Sequence, residues 1–312
     1  RKLVLHEMLT TNRRDEKYLS SKVISYYNII NWLFKQHEIR CVIQELGGFI
    51  APQLLFNISR RYNTNHVFIE PAMFPKRMIF NLNTIYSDIP ADCKINVTKQ
   101  QELNDLLNNY LSQGTVVIPK KDKHFFQDMT LRRLFSADNF KRLSRKLYHK
   151  YFRNIREEYN AIGWYVVYHI IKWFRRKVLR FHYTNPSKNE NYVYYPFHVP
   201  LDVQLTVRCP EFLNQESIVQ YIANSLPAGV KLYIKEHPAS IGGHSLNKIK
   251  ELLKFKNIKL VHPKQNSYEL IKNSLCVITI NSKVGFESIM QQKPVIVLGK
   301  TFYRDKGVTV DV

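Results

Sequence analysis

An imidazole and a hydroxyl follow two short apolar segments in the C-terminal part of the chain. His237 comes just after the segment 232–235, and Asn281 and Ser282 follow the segment 276–280. Short apolar segments that alternate with helix-like stretches are typical of βα units, whose strands form a parallel sheet. Ligands of such sheets bind at the carboxyl ends of the strands. We therefore expect these polar side chains to meet in one crevice.

The residues after this second segment have the pattern of an anion-binding helix end. Ser282 precedes the helix-like stretch 283–290, whose first backbone N–H groups lack partners within the helix and carry the positive end of its dipole. Lys283 adds a positive charge, Gly285 would let a ligand approach, and Glu287 could accept hydrogen bonds from ribose hydroxyls. The alternative is that Ser282 only caps a helix and that Glu287 is only a solvated acid.

These motifs resemble those of the capsule polysaccharide biosynthesis family, which includes the Kdo transferases of bacterial capsules. The resemblance covers residues 192–303 most strongly and rests on Lys235–Pro238, Asn281–Glu287 and Lys293–Gly299. It implies an α/β chain of GT-B-like fold, with two Rossmann-like domains and the CMP portion of a sugar donor held by the C-terminal one.

The resemblance also implies roles for particular residues. His237, with Pro238, and Ser282 would contact the donor phosphate, and Glu287 would contact the ribose. Asn281 stands where the family has the first serine of a pair. No metal is required and no cofactor is expected besides the nucleotide-sugar donor, which is a substrate.

Two carboxylates follow strand-like segments in the N-terminal part. Glu45 ends the segment 40–45 and precedes Gly47 and Gly48, and Glu70 ends the next apolar segment. A strand, a glycine pair and a helix could bring backbone close to a sugar or a phosphate. The resemblance implies a carboxylate at this place, acting as a nucleophile in a retaining transferase or as a general base in an inverting one. The alternative is that Glu45 only caps the helix that follows.

Four further residues are expected to line the cleft between the domains. His198 and Asp202 follow the apolar stretch that opens the C-terminal domain, at a position that loosely matches the family pattern. Lys235 precedes the His-Pro motif, and Ser267 begins a short helix that could border the base of the nucleotide. A core histidine and a capping aspartate are the alternatives for the first two.

The segment 120–188 carries much of the positive charge of the chain. It holds 18 Lys and Arg residues against 5 Asp and Glu residues, a net charge of +13 within a total of +22. Interleaved aromatic residues are suited to an anionic membrane surface bearing a lipid-linked acceptor. A helical linker with solvated cations is an equal alternative, and nucleic acid is a weaker one because no RNA- or DNA-binding motif is present.

Length and composition suggest two domains of ordinary size within 312 residues. We predict an N-terminal Rossmann-like domain over 1–119, a basic aromatic helical segment over 120–190, and a nucleotide-sugar-binding domain over 191–312. The chain begins without methionine and stops while the strand–helix pattern continues, so we expect both domains to be parts of a longer protein. Four scattered cysteines indicate free thiols in a reducing compartment rather than a metal site.

The resemblance implies transfer of an activated sugar from a nucleotide donor, with CMP-Kdo or a related ulosonic acid favoured, to a glycan or glycolipid. A cytoplasmic protein, at most peripheral to the inner face of the membrane, is expected because the longest apolar window is about ten residues. One alternative is a teichoic-acid-type transferase of polyol phosphate. Another is a non-catalytic basic protein that binds exported polysaccharide or nucleic acid.

Overall fold

The computed structural model describes residues 2–72, 74, 77–87, 97–114, 136–155, 161–187 and 189–312. In these residues the chain forms two separate β-sheets, one of three strands and one of six. Helices pack against both, so the predicted α/β class is confirmed. The predicted strand at 115–119 lies outside the described residues.

The three-stranded sheet belongs to the N-terminal part of the chain. Its strands lie in the order β1-β2-β3, with β1 and β2 parallel and β2 and β3 antiparallel. It is therefore a mixed sheet, with β3 as an antiparallel edge strand. The elements are α1 Lys2–Thr11, α2 Glu16–Gln36, β1 Cys41–Glu45, α3 Ile50–Arg61, β2 Asn65–Pro71 and β3 Met78–Leu82.

The core of this part forms between α2 and α3. Apolar residues recur at helical spacing in both helices, and their buried faces meet at Leu19, Ile30, Phe34, Ile50, Leu54 and Ile58. The side chain of Asp15 caps α2 by accepting a hydrogen bond from the N–H of Tyr18 at 3.2 Å. The helix predicted near residues 20–34 is thus present, and it is longer than predicted.

Three helices connect the two sheets: α4 Val97–Gln113, α5 Ala137–Tyr151 and α6 Ile162–Leu179. We predicted α4 to belong to the N-terminal domain, yet its C-terminal end packs on the other sheet's layer. Tyr268 donates a hydrogen bond from its hydroxyl to the carbonyl of Leu111 at 3.1 Å, and Asn266 donates to the carbonyl of Gly114 at 2.8 Å. The exact limits of the domains stay a prediction.

The six-stranded sheet has the strand order β6-β5-β4-β7-β8-β9, and all of its paired strands are parallel. This is the order of a doubly wound sheet, in which the direction of winding reverses beside the first strand. The elements are β4 Tyr192–Pro196, α7 Gln215–Ser225, β5 Lys231–Lys235, α8 Leu246–Leu252, β6 Ile258–Val261, α9 Ser267–Asn273, β7 Cys276–Thr279, α10 Lys283–Met290, β8 Val295–Val297 and β9 Val310–Asp311.

Successive residues of β4 pack into two different cores. Val193 and Tyr195 contribute to the cluster that includes residues of α7 and α8, whereas Tyr192 and Tyr194 contribute to the one that includes residues of α9. A strand covered on both faces must be apolar at every position. This is why the sequence shows the strands of this sheet as short continuous apolar segments.

Among the residues that the structure describes, no helix is both long enough and apolar enough to cross a bilayer. Helix α5 contributes no buried residue, and Phe140 and Phe152 are 74% and 80% exposed. Helix α6, by contrast, lies against the loop after β5. Binding of this basic aromatic segment to an anionic lipid surface stays a prediction.

Candidate functional site

The two polar motifs of the C-terminal part follow the carboxyl ends of β5 and β7, which lie on either side of β4. His237 and Ser282 are therefore separated by one strand, which corresponds to roughly 10 Å between the axes of the outer two. This is the place where the winding of a doubly wound sheet reverses and where such sheets bind ligands.

His237 is held by the turn that it begins. Its Nδ1 atom accepts a hydrogen bond from the backbone N–H of Ala239 at 3.1 Å, and Pro238 is the first residue of a short 3₁₀ helix. An acceptor nitrogen carries no proton, so in the neutral ring the proton lies on Nε2. The imidazole of this exposed residue is thus oriented as an N–H donor, the form suited to an anionic oxygen.

Ser282 is the N-cap of α10, as predicted. Its hydroxyl accepts a hydrogen bond from the N–H of Val284 at 3.2 Å, and its carbonyl accepts one from the hydroxyl of Tyr303 at 2.5 Å. Lys283, the first residue of the helix, is exposed. A helix N-terminus with an adjacent cation attracts phosphate.

Gly285 has a different role from the predicted one. A side chain there would overlap the hydroxyl of Tyr303, and its Cβ would lie 2.7 Å from that ring and 3.0 Å from Thr279. The space left by glycine is filled by protein, not by an approaching ligand. Gly285 therefore lets Tyr303 reach the carbonyl of Ser282 and fix the start of α10.

Asn281 also points away from the predicted ligand. Its amide nitrogen donates to the carbonyl of Gln204 at 2.9 Å and contacts the sulfur of Cys209 at 3.3 Å. The side chain is buried and connects the end of β7 to a π-helical turn, Gln204–Arg208. Asn281 thus holds the turn that faces the N-terminal part of the chain.

Lys235 is buried rather than open to a cleft, and the partly buried Ser267 is one of its hydrogen-bond partners. The ammonium of Lys235 is buried and donates to the carbonyl of Gln265 and to the hydroxyl of Ser267, both at 2.6 Å. Burial lowers the pKa of Lys235 to about 8, although the nearby Glu287 raises it. The N-cap of α9 is Asn266 rather than Ser267, because it accepts the N–H of Tyr268 at 3.0 Å.

Glu287 lies in the same buried region and is not a solvated acid. Burial raises the pKa of its carboxyl to about 7, against the lowering effects of Lys283 and Lys235. The residue is only 5% exposed. Its contact with a ribose stays a prediction.

Replacing Glu287 with glutamine should change the pH dependence of stability. The pKa of Glu287 rises from 4.5 to about 7 on folding, so its stabilising contribution is complete below pH 4.5 and is lost as the pH rises to 7. The free energy of unfolding of the wild type, minus that of the variant, should fall by about 3 kcal/mol over this range. Urea denaturation at several pH values measures it.

The matched control for that experiment is Glu251→Gln, at a solvent-exposed position on α8. A wild-type-minus-variant difference for Glu287→Gln that stays constant from pH 4.5 to pH 7 would show that the carboxyl is not desolvated in the folded state.

His198 and Asp202 lie after β4 and have different surroundings. His198 is buried. Its backbone N–H donates a hydrogen bond to the side-chain oxygen of Gln215 at 2.8 Å, and the amide nitrogen of Gln215 donates to the carbonyl of His198 at 3.2 Å. Burial, with nearby His237 and His244, lowers the pKa of His198 to about 3. It is a neutral core residue beneath His237.

Asp202 caps the π-helical turn. Its carboxylate accepts the N–H of Gln204 at 2.8 Å, and its carbonyl accepts the hydroxyl of Thr206 at 2.9 Å. Asp202 thus has the capping role that was the alternative to a position in the cleft. The same residue lies close enough to His6, on α1, to affect its pKa.

The two predicted carboxylates of the N-terminal part have different surroundings. Glu45 is exposed at the carboxyl end of β1, and no residue in the described ranges forms a hydrogen bond or ion pair with its carboxylate. It does not cap α3, whose N-cap is Phe49. Glu70 instead forms a largely buried ion pair with Arg208 and also accepts a hydrogen bond from Asn81 at 2.8 Å.

The ion pair of Glu70 joins the two parts of the chain. Arg208 belongs to the π-helical turn; it also donates to the carbonyl of Ile85 at 2.6 Å and to the side chain of Gln204 at 2.8 Å. A carboxylate held by an arginine and an amide is poorly placed to attack a substrate. Of the two predicted catalytic residues, the geometry thus favours Glu45.

The glycine pair Gly47–Gly48 makes room for protein rather than for a sugar or a phosphate. A Cβ on Gly47 would lie 2.6 Å from Pro52, and a Cβ on Gly48 would overlap the imidazole of His6. The ring of His6 packs edge-on against Phe49 with 5.1 Å between centroids. Protein atoms already fill the space beside each glycine where a Cβ would lie. The prediction that a sugar or a phosphate approaches the backbone there is therefore wrong.

Three functional candidates were missed by the sequence interpretation: His6, Arg208 and Glu236. Glu236 lies inside the Lys-Glu-His-Pro motif, and its place in that motif could have indicated a functional role. Its buried carboxylate accepts hydrogen bonds from the hydroxyl of Tyr183 and the N–H of Gly242, both at 2.9 Å. It thereby fixes the loop that follows His237. His6 and Arg208 have no local pattern that would have indicated them.

Helix α6 fixes the same loop from outside. Lys172 donates to the carbonyl of Ala239 at 3.2 Å, and Arg175 donates to the carbonyl of His244 at 3.0 Å. Gly242 has a φ of +75°, and a Cβ there would lie 2.5 Å from the carbonyl oxygen of Lys172. The basic segment thus holds the residues after His237 in place, in addition to presenting cations to solvent.

No cluster of three or more potential metal ligands occurs in the parts of the chain that the structure describes. The groups that follow β5 and β7 are instead a histidine N–H, a helix N-terminus with its serine cap, and a lysine. These groups are suited to binding an anionic ligand.

Comparison with known proteins gives the following similarities. Over 119 residues, 36% of this chain, it is 35% identical to Protein FixF of Sinorhizobium fredii, and the match spans only 27% of that protein. The β-Kdo 2,7 transferase of KpsC from Thermosulfurimonas dismutans is 24% identical, with 46% of each chain covered and a TM-score of 0.34.

The β-Kdo 2,4 transferase of the same KpsC protein is 14% identical, with 86% of this chain and 72% of that one covered and a TM-score of 0.43. The family model described as "Capsule polysaccharide biosynthesis protein" matches residues 94–312, which is more than half of the chain. The chain therefore belongs to the capsule polysaccharide biosynthesis family.

Proposed function

We propose that this chain is part of a glycosyltransferase of capsule or surface polysaccharide synthesis. It would transfer a sugar, Kdo or a related ulosonic acid, from a CMP-activated donor to a glycan or a lipid-linked glycan. Membership of the capsule polysaccharide biosynthesis family supports a role in the synthesis of such a polysaccharide. The observation that carries the proposal is the position of His237 and Ser282 on either side of β4, where a doubly wound sheet binds its ligand.

The donor phosphate fits the groups at this edge. The Nε2–H of His237 is directed by the bond that its Nδ1 accepts from Ala239. Across β4, the first N–H groups of α10 and the ammonium of Lys283 supply positive charge. The imidazole and the start of α10 are oriented by these contacts before a ligand binds, so they can stabilise charge that grows on the leaving phosphate without reorganising.

The reaction follows from this charge distribution. The bond between the anomeric carbon and the phosphate oxygen breaks, the electron pair stays on the phosphate, and CMP leaves with the charge that His237 and α10 stabilise. The O–H bond of the acceptor breaks with its proton passing to a base, and the acceptor oxygen forms the new bond to the anomeric carbon. Glu45, the exposed carboxylate of the other sheet, would stabilise the positive charge on the sugar or attack it directly in a retaining reaction.

A nucleotide panel tests the proposed donor. CMP at about one hundred times its Kd should stabilise the fold by about 2.7 kcal/mol and raise the melting temperature by several degrees. UMP and GMP at the same concentration should leave the melting temperature unchanged. Differential scanning fluorimetry of the chain measures the shift.

The matched control is Ser282→Ala, which removes the cap hydroxyl while keeping the helix backbone. We expect the CMP-induced shift to be reduced in this variant. Equal shifts with CMP, UMP and GMP would contradict a cytidine-specific donor site, and no shift with any of the three would contradict a nucleotide-dependent transferase.

A further inference from the structure

His6 is a buried histidine at the junction between the two parts of the chain, and the reaction described above does not use it. It lies on α1 and is 7% exposed. One side of its ring covers Gly48, in the loop after β1, and Nδ1 contacts the hydroxyl of Thr206, in the turn after β4, at 2.7 Å. The loops that follow the carboxyl ends of β1 and β4 thus meet at this one side chain.

The hydrogen bonds around His6 determine its tautomer. The hydroxyl of Thr206 donates its proton to the carbonyl of Asp202 at 2.9 Å, so toward the imidazole it can only accept. Nδ1 of His6 must therefore carry the proton and donate it at 2.7 Å. The lone pair is left on Nε2, with which no residue of the described ranges forms a hydrogen bond.

The charged groups around His6 leave the ring neutral near pH 7. Burial lowers the pKa of His6 below 6.5, and the carboxylate of Asp202, in the segment after β4, acts in the opposite direction. On the same helix, Glu7 forms an ion pair with Lys22 and accepts the N–H of Ile50 at the start of α3. The loop that covers the ring contributes the uncharged Gly48 and Phe49.

We propose that His6 is the general base of the transfer reaction, with Nε2 accepting the proton of the attacking hydroxyl. This inference rests on the proposed function. The O–H bond of the acceptor breaks, its proton moves to Nε2, and its oxygen bonds to the anomeric carbon. The bond from that carbon to its leaving oxygen breaks, and the electron pair stays on that oxygen. The imidazolium then returns the proton to solvent.

Thr206 acts as a positioning residue for His6, because its hydroxyl holds the ring through Nδ1 and sets the tautomer. Asp202 orients that hydroxyl in turn, through its backbone carbonyl. The same arrangement is effective in either stereochemical course, since a retaining enzyme also has to deprotonate the acceptor in its second step. Glu45 then remains free to act on the sugar carbon.

The test uses His6→Asn, which keeps an N–H donor near the position of Nδ1 and removes the basic nitrogen. The probe is CMP-Kdo with water as the acceptor, and the readout is CMP release above the spontaneous rate. We expect kcat to fall by about 10²- to 10⁴-fold, the usual range for loss of a general base, while the CMP-induced melting shift is kept.

The pH profile gives a second readout that a purely structural role would not change. Because His6 acts in its neutral form, wild-type kcat should fall as the pH drops through its pKa below 6.5, and the residual rate of His6→Asn should lack this decline.

The matched control is His66→Asn. His66 is also buried, and its Nδ1 atom is hydrogen-bonded to the hydroxyl of Ser59 at 2.8 Å. Unlike His6, it lies on β2 within the N-terminal core.

The outcomes separate the two claims. If His6→Asn releases CMP within about threefold of the wild-type rate, or slows no more than His66→Asn, His6 is not the base and the transferase proposal is untouched. If His6→Asn loses the CMP-induced shift together with activity, the residue holds the domains together instead. If the wild type neither releases CMP nor is stabilised by it, the proposed function fails, and the role of His6 fails with it.

Discussion

Replacing Arg208 with alanine should destabilise the protein by about 3–5 kcal/mol. The variant leaves the carboxylate of Glu70 largely buried without its cation, and removing one partner of a buried ion pair costs this much because the remaining charge is desolvated. It also leaves the carbonyl of Ile85 without the donor at 2.6 Å. Urea denaturation, followed by tryptophan fluorescence, measures the loss.

Arg40→Ala is the matched control for this prediction. Arg40 forms an ion pair with Glu38 at 3.1 Å, but the two side chains are 83% and 80% exposed. Solvent screening makes such surface pairs nearly neutral, so the control should leave the urea midpoint almost unchanged. Equal effects of Arg40→Ala and Arg208→Ala would contradict a buried ion pair between the two parts of the chain.

A double replacement tests the cause of that loss. Substituting both Arg208 and Glu70 by apolar residues of similar size removes the uncompensated charge, so part of the lost stability should return. If substituting Glu70 lowers the free energy of unfolding as much in the Arg208 variant as in the wild type, the two side chains are not coupled.

Replacing His237 with alanine should reduce the rate of CMP release from CMP-Kdo by about 10²- to 10³-fold. The variant removes the N–H that would stabilise charge on the leaving phosphate, and loss of one such donor has an effect of this size in other enzymes. Because His237 begins a surface turn and its imidazole is exposed, the melting temperature should change little. Initial rates at saturating donor measure the effect.

The second His-Pro motif provides an internal control. His262 follows β6 and accepts the N–H of Lys264 at 3.1 Å through Nδ1, in the same local geometry as His237. It lies at the outer edge of the sheet, two strands from β4. His262→Ala should keep at least a third of the wild-type rate; if it is as slow as His237→Ala, the assignment to the strand ends beside β4 is wrong.

The elements of the C-terminal sheet could be predicted from the sequence because they are local. The segments predicted as strands near 232–235 and 276–280 correspond to β5 Lys231–Lys235 and β7 Cys276–Thr279, and the predicted helix 283–290 is α10. Strands covered on both faces have short apolar sequences, and a serine before a helix satisfies its free N–H groups. Both patterns span only a few residues.

The surroundings of the candidate residues could not be predicted in the same way. Gly48 and Gly285 suggested space for a ligand, but a glycine leaves the same gap for a protein side chain, here that of His6 or Tyr303. Lys235 looked like a cleft cation, and its partners are 30 and 32 residues away in the chain. Whether such a charge faces solvent or the core depends on what packs against it.

By itself, the sequence determined the α/β class, the family motifs and the positions of His237 and Ser282, each directly after a short apolar segment. Only the tertiary structure decided that these residues lie on either side of β4, that Glu70 is bound by Arg208 across 138 residues of chain, and that His6 meets Thr206 across 200. Secondary structure depends on the nearest neighbours in the chain. The protonation and accessibility of a reactive group depend instead on contacts between distant segments, which leave no periodic pattern in the sequence.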